Sequence, residues 1–297
     1  MKIIDAHFHL YKNAKTGILA QGGVSLSGFS GAFEEAIPLV ESAGFEKIVA
    51  VAVIPIQLMR DTAVAKWPSG ATPSDLADKK AALEEKLKSR LTDFNQWLLS
   101  ITKDDGRIIP AIAVDSTLDG AFMRDFILSA LDKDQIRILK IHPAVNKTSP
   151  TDKGYYPIYE LAQEKALPVI CHGGFSGEDI EGKLCTPDHF KTVCKDFPRL
   201  KMVAAHLCYP HTASLASVMK SCENLHTDLS FVIGNGVYND EELLRQIRSF
   251  REDGVLFGSD YPWADPVKGA LRLMNIGLTD LELEKVAWKN ARDLFGI

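Results

Sequence analysis

Short runs rich in β-branched residues recur along the chain, each closed by a turn signal and followed by a stretch of helical period. Eight such runs are found, at residues 2–8, 47–54, 107–114, 136–142, 168–172, 201–207, 225–231 and 255–260. Helical patterns fall between them at residues 33–42, 74–102, 121–131, 157–165, 187–196, 213–221 and 241–250. A last helix, at 279–295, opens with Thr279 followed three residues later by Glu282, a capping signature. Runs such as IVAVAVIP and IIPAIAV are apolar almost throughout, as strands covered on both faces must be. An open doubly wound sheet would carry a glycine fingerprint after its first strand, and DAHFHLYKN has none. The eight units therefore predict a (β/α)8 TIM barrel, a single domain over residues 1–297, close to the usual size of ~250 residues. Two excursions follow strands one and two, on the side where barrel active sites lie. Residues 11–31, with Gly17, Gly22, Gly23, Gly28 and Gly31, are expected to form either a mobile lid or a plain surface loop. Residues 57–73 lead into a long charged helix.

Composition narrows the partners. The 39 acidic and 34 basic residues are spread along the sequence, give a net charge of −5 and form no basic stripe, which argues against nucleic acid. Two histidines interrupt MKIIDAHFHL before any apolar stretch reaches the length of a signal peptide or membrane anchor. A cytoplasmic protein acting on a small-molecule substrate, with no membrane partner, is expected. The five cysteines include no CxxC pair and are expected to be reduced, buried thiols.

The first strand ends in Asp5, Ala6, His7, Phe8 and His9. Strand alternation puts the two imidazoles on one side, the barrel interior, about 7 Å apart, where they can converge on a cation. His172, His206 and Asp260 each close a later strand, so a barrel would bring them to the same mouth. Neutral imidazoles and a carboxylate around a divalent cation lower the pKa of bound water to about 7. Zinc suits such a donor set first, with manganese, iron or cobalt as alternatives. Asp260 would touch the metal and accept the water's proton, and His206 would polarise a carbonyl or protonate a leaving group. Lys140 and His142 share a face of strand four. Lys140 is expected to pair with a buried carboxylate or a substrate anion, and His142 to make an interior hydrogen bond. Asp5 is expected to hydrogen-bond locally. Tyr261 and Trp263 are candidates for a pocket wall, and Arg60 for holding a substrate carboxylate. Gly173 and Gly174 would leave room for a ligand. His189, His211 and His226 are expected to be structural or superficial.

DAHFHL at the start, LKIHP on strand four, ICHGG on strand five, AAHLCYP on strand six and GSDYPW on strand eight occur in that order. Together they resemble the amidohydrolase superfamily, and within it the amidohydrolase-2 branch of metal-dependent TIM-barrel hydrolases, over essentially the whole chain. The resemblance implies that His7, His9, His172 and Asp260 ligate a catalytic metal, while His206 binds a second metal or acts as acid and base. In binuclear members a strand-four lysine is carboxylated and bridges two metals, a part that would fall to Lys140. The leading expectation is hydrolysis of a C–O or C–N bond in a lactone, ester or amide of a small metabolite. The alternative is a lyase, since the branch also resembles non-oxidative decarboxylases of aromatic or enoic acids. These use a metal, a strand-six histidine and an arginine, for which only Arg60 is at hand. A non-catalytic binding barrel is opposed by the presence of every expected ligand. Deoxyribonucleases of the TatD branch place a glutamate on strand four, where this chain has LKIHP.

Overall fold

The computed structural model of the protein describes residues 2–70, 72–103, 105–133, 136–177 and 179–297. Its strands are β1 (Ile4–His9), β2 (Lys47–Val51), β3 (Ile108–Ala113), β4 (Ile138–Ile141), β5 (Val169–Cys171), β6 (Met202–Ala204), β7 (Leu225–Asp228) and β8 (Val255–Leu256). They form one sheet in sequence order, each paired in parallel with the next. The helices are α1 (Ala14–Ala20), α2 (Phe33–Ser42), α3 (Ile56–Val64), α4 (Pro73–Thr102), α5 (Gly120–Asp132), α6 (Tyr156–Glu164), α7 (Pro187–Asp196), α8 (Thr212–Met219), α9 (Asp240–Ser249), α10 (Pro266–Asn275), α11 (Asp280–Glu284) and α12 (Asn290–Phe295). This is the TIM barrel expected from the sequence.

Three helices go beyond that expectation. α1 and α3 lie in the two excursions; Ala71, within the second, lies outside the described residues. α10 buries Pro266, Gly269, Ala270 and Leu273, a helical stripe, and starts where the Asp265 side chain accepts from the N–H groups of Val267 and Lys268. The last helix, expected in one piece, is broken by a π-helical segment, Lys285–Lys289, whose Val286 carbonyl accepts from Phe257 just past β8. The excursion after β1 is also anchored at its base. Tyr11 N–H donates to Gly31 and Phe33 N–H to Tyr11, while one Glu35 oxygen accepts from Ser30, Gly31 and the Tyr261 hydroxyl.

The barrel interior is filled by Ile4, Ala6, Val49, Val51, Ala111, Ile138, Ile170, Val203 and Leu256, together with Leu294 and Phe295 of α12. Phe8 and Leu10 belong instead to the larger layer between strands and helices. A strict alternation from Ile4 and Ala6 would keep Phe8 inward and turn His7 and His9 outward. The pairing of β1 with β2 shifts register between Asp5 and Phe8, however, and this bulge reverses the alternation so that His7 and His9 face the mouth. The Asp5 carboxylate compensates the disturbed ladder, with Oδ1 accepting from His7 N–H at 3.1 Å and Ser259 N–H at 2.9 Å.

The same segment closes the barrel against the end of β8. Ala6 N–H donates to Phe257, Asp260 N–H to His7 and His9 N–H to Tyr261, at 2.9, 2.9 and 2.8 Å. Gly258 permits the approach, since a Cβ there would stand 2.9 Å from His7 Cβ. β5, β6 and β8 are shorter than expected, so His172, His206 and Asp260 follow the strands instead of ending them. His206 and Asp260 have already left the β region, at φ 63° and 67°. All five cysteines are buried and unpaired. No described helix is long and apolar enough to cross a membrane.

Asp5→Ala leaves two buried N–H groups without an acceptor and should destabilise the fold by roughly 2–6 kcal/mol in urea titrations, at about 1–3 per orphaned donor. Asp5→Asn keeps an acceptor oxygen and should lose less than half as much. Equal losses in the two variants would contradict this role for Asp5.

Candidate metal centre

Five imidazoles and one carboxylate meet at the mouth. The His7 ring centroid lies 5.2 Å from that of His9 and 4.9 Å from that of His206, and His206 lies 4.9 Å from His172. His142 stacks on His172 at 4.0 Å. Asp260 Oδ1 stands 3.3 Å from His9 Nε2 and 3.6 Å from His7 Nε2. One ligand atom from each of His7, His206 and Asp260 falls within 4.8 Å of the others. Burial is the main cause that holds His7, His9, His142 and His172 below their ordinary range, and nearby Lys140 adds to it in each case. Burial works against the charge of Asp260, yet His206, His9 and His7 together keep its carboxyl far below the usual range. The centre thus sets four rings that burial keeps neutral, those of His7, His9, His142 and His172, beside a fixed anion.

A second carboxylate, not singled out from the sequence, orients two of these rings. Asp228, fully buried at the end of β7, accepts from His7 Nδ1 at 2.9 Å, which leaves the Nε2 lone pair free to face the mouth. Its other oxygen accepts from His206 N–H at 2.8 Å, from Ser230 N–H at 3.1 Å and from the Ser230 hydroxyl. Ser230 Oγ lies 2.8 Å from His206 Nδ1. With its hydrogen given to Asp228, this hydroxyl accepts from Nδ1–H, so His206 also keeps its Nε2 lone pair. The signal in the sequence was position: Asp228, like the histidines, sits at a strand's C-terminal end.

Some of the other candidates are placed differently from expectation. Lys140 has no carboxylate in ion-pair range among the described residues; its Nζ lies 3.2 Å from His7 Nε2, and burial draws its pKa down to about 8. Arg60 cannot hold a substrate carboxylate as it stands, because all five of its N–H groups are taken by Glu84, Gln57 and Thr117. Tyr261 is no pocket wall: it is fully buried, stacks on Phe8 at 4.4 Å and donates its hydroxyl to Glu35. Trp263 does stand at the site, edge-on to His9 at 4.7 Å. His142 Nδ1 accepts from Val145 N–H. His172 donates its Nε2–H to the Phe175 carbonyl at 2.8 Å, which leaves the Nδ1 lone pair free to ligate a cation. The space at Gly173 and Gly174 admits the turn after β6 and not a ligand: Cβ atoms there would meet Ala205 O at 2.7 Å and Tyr209 O at 2.0 Å.

A divalent cation fits this donor set. Ligand atoms ~2.1 Å from one ion stand at most about 4.2 Å apart, so the spacing of His7, His206 and Asp260, within 4.8 Å, needs only small side-chain movements. His9 Nδ1 is buried without a hydrogen-bond partner, as a ring held mainly through Nε2 would be. The opposing feature is Lys140, whose Nζ must turn aside from His7 Nε2 before a cation takes that lone pair. Asp228→Asn should reduce metal affinity about 10–100-fold in chelator competition, the usual effect of losing a carboxylate behind a ligating histidine, with unchanged circular dichroism. Unaltered affinity would refute the orienting role.

The neutral rings also set a pH dependence. Unfolded histidines titrate near 6.5, so unfolding takes up protons below that pH, and the metal-free protein should lose stability as pH falls from 7 to 5. Asp5, pushed by burial from 3.8 up to about 7, acts in the opposite sense with one proton against four. Thermal denaturation after chelation should show the fall; a Tm that rises on acidification would be inconsistent with buried neutral imidazoles.

Comparison with known proteins agrees with this geometry. No curated protein matches the sequence. Among solved structures, an uncharacterized TIM-barrel protein from Bordetella bronchiseptica is 20% identical, with a TM-score of 0.74 over 100% of this chain and 99% of its own. The 5-carboxyvanillate decarboxylase LigW from Sphingomonas paucimobilis is 14% identical, with a TM-score of 0.69 over 100% and 99%. A dihydroxybenzoic acid decarboxylase from Polaromonas, with bound manganese and the inhibitor 2-nitroresorcinol, is 14% identical, with a TM-score of 0.67 over 99% and 96%. At these identities the likeness shows the fold alone. The amidohydrolase family model Amidohydro_2 matches residues 4–297, and the chain belongs to that family of enzymes, its His–His–Asp group supporting a divalent metal as cofactor.

Proposed function

We propose that the protein is a metal-dependent lyase that removes carbon dioxide from an aromatic carboxylic acid without oxidation. The observation that carries this reading is the aromatic wall beside the metal centre. Decarboxylation asks for a fixed anion, a cation and a proton donor, which Asp260, the bound metal and His206 would supply. The surroundings suit a planar acid: Trp263 and Tyr11 lie 4.7 and 6.5 Å from the His9 ring, and Phe94 lies 6.3 Å from Tyr11. Two of the similar structures are decarboxylases of hydroxylated benzoic acids, one with bound manganese, which favours manganese over the zinc expected from the sequence.

His7, His9, Asp260 and the free Nδ1 of His172 would hold the cation, which when bound supplies positive charge for the acid's carboxylate and a neighbouring oxygen. His206, oriented by Ser230 and Asp228 and entering the step as the imidazolium, delivers its Nε2 proton to the ring carbon that bears the carboxylate and is left with the Nε2 lone pair. A C–H bond forms there, the C–C bond breaks, carbon dioxide leaves, and the ring recovers its electrons; solvent then reprotonates His206. Arg60 is engaged elsewhere, so Lys140 is the buried cation of the protein itself that stands beside the substrate. Trp263 and Tyr11 keep water from the reacting carbon.

A panel of hydroxylated benzoic acids, incubated with the manganese-loaded protein in deuterated water, should release carbon dioxide and gain deuterium at the vacated carbon. His206→Asn should lower kcat by about 10²–10⁴-fold, the range for a lost general acid. Turnover of lactones, esters or amides, with solvent oxygen in the product and no carbon dioxide from any acid, would establish the hydrolase instead.

A further inference from the structure

The opposite end of the barrel carries a groove of about 780 Å³, lined by Lys191, Lys195, Arg199, Lys201 and Lys220 against one acid, Glu223. It lies where α7 and α8 end and β6 and β7 begin, whereas the metal centre lies past the strands' C-terminal ends. The five cations are scattered over thirty positions of a chain whose net charge is −5, and folding gathers them around one depression. All five are exposed, and among the described residues none makes an ion pair, whereas Arg60, Arg107, Arg248 and Arg272 each hold a carboxylate. Lys191 and Lys195 stand one turn apart on α7, a like-charged spacing that weakens a helix unless an anion lies between them.

A sixth cation, Arg251, lies beside the groove, paired there with Asp253 at 3.2 Å. Arg251 donates to the carbonyls of Met219, Cys222, Glu223 and Leu225, under the groove's edge. His226, which also lines the groove, is lowered to about 4, first by burial and then by Arg251, with Lys201 adding to the effect. Cys194, Pro198 and Cys222 add small apolar surface, and among the described residues no Phe, Tyr or Trp lines the groove. Its size falls within the range of small-molecule sites, about 300–1,000 Å³. Arginine and lysine together are the donors that phosphate oxygens select.

We propose that this groove binds a small phosphorylated anion carrying two or more negative charges, at a site separate from the metal centre. Titration calorimetry of the full chain with inorganic pyrophosphate, at ionic strength matched with chloride, tests it. One saturable site is expected, weakened at least about tenfold by Lys195→Ala with Lys201→Ala, since each cation makes charge-assisted contacts. Both side chains are exposed and unbonded, so the thermal transition of this variant should match that of the parent. Lys12→Ala with Lys15→Ala, on the excursion after β1, should leave the affinity unchanged, as should Asp260→Asn at the metal centre. The proposal is overturned if no saturable site is found, if the groove variant binds as tightly as the parent, or if Asp260→Asn alone removes binding.

Discussion

Asp260 and His7 are joined twice. Asp260 N–H donates to the His7 carbonyl across the line where β8 meets β1, and its carboxylate lies against the His7 and His9 rings. These residues stand at opposite ends of the sequence, so only closure of the barrel makes them neighbours. The closure depends in turn on a bulge in β1, on a glycine that lets the strands approach, and on Asp5 taking the N–H groups of His7 and Ser259. Without the bulge the histidines would face the helices and the carboxylate would have no partners. The fold and the centre are therefore one construction, and the first strand cannot be altered for one without affecting the other.

The centre is held together by a balance of charge under burial. Four histidines are held neutral by burial, and the buried Asp260 stays anionic beside His206, His9 and His7. Asp228 points both His7 and His206 with their Nε2 lone pairs toward the mouth. Backbone strain accompanies this arrangement. Asp260 and His206 both adopt left-handed conformations, as do Leu207 and Cys208 beside His206, and such positions in non-glycine residues persist only where the surroundings over-determine them. Here the seam fixes Asp260, while Asp228 and Ser230 fix His206.

Much of this was legible in the sequence, and the remainder failed for physical reasons that can be named. The barrel followed from eight apolar runs separated by helical periods, because parallel strands covered on both faces leave that mark. The mouth residues His7, His9, His172, His206 and Asp260 followed from their place at strand ends. The bulge that aims His7 and His9 was invisible: alternation gives two histidines the same face but does not say which. Asp228 was missed because an acid on an ordinary strand looks like any surface carboxylate until burial is known. Arg60 was misjudged for the converse reason, since a charge that looks unpaired in a sequence finds its partner only in three dimensions. α10 carried its cap, its leading proline and its apolar stripe in plain view, and only Gly269 weakened the helical pattern. The basic groove was hidden by distance along the chain.

The most direct test of the whole account is a crystal structure of the protein grown with manganese and recorded at an energy that gives anomalous scattering from that metal. A single ion is expected at the seam, ~2.0–2.3 Å from Asp260 and from the imidazoles of His7 and His9, with Lys140 turned away from His7. An ion bound elsewhere, or bound without Asp260, would contradict the claim that barrel closure builds the metal centre.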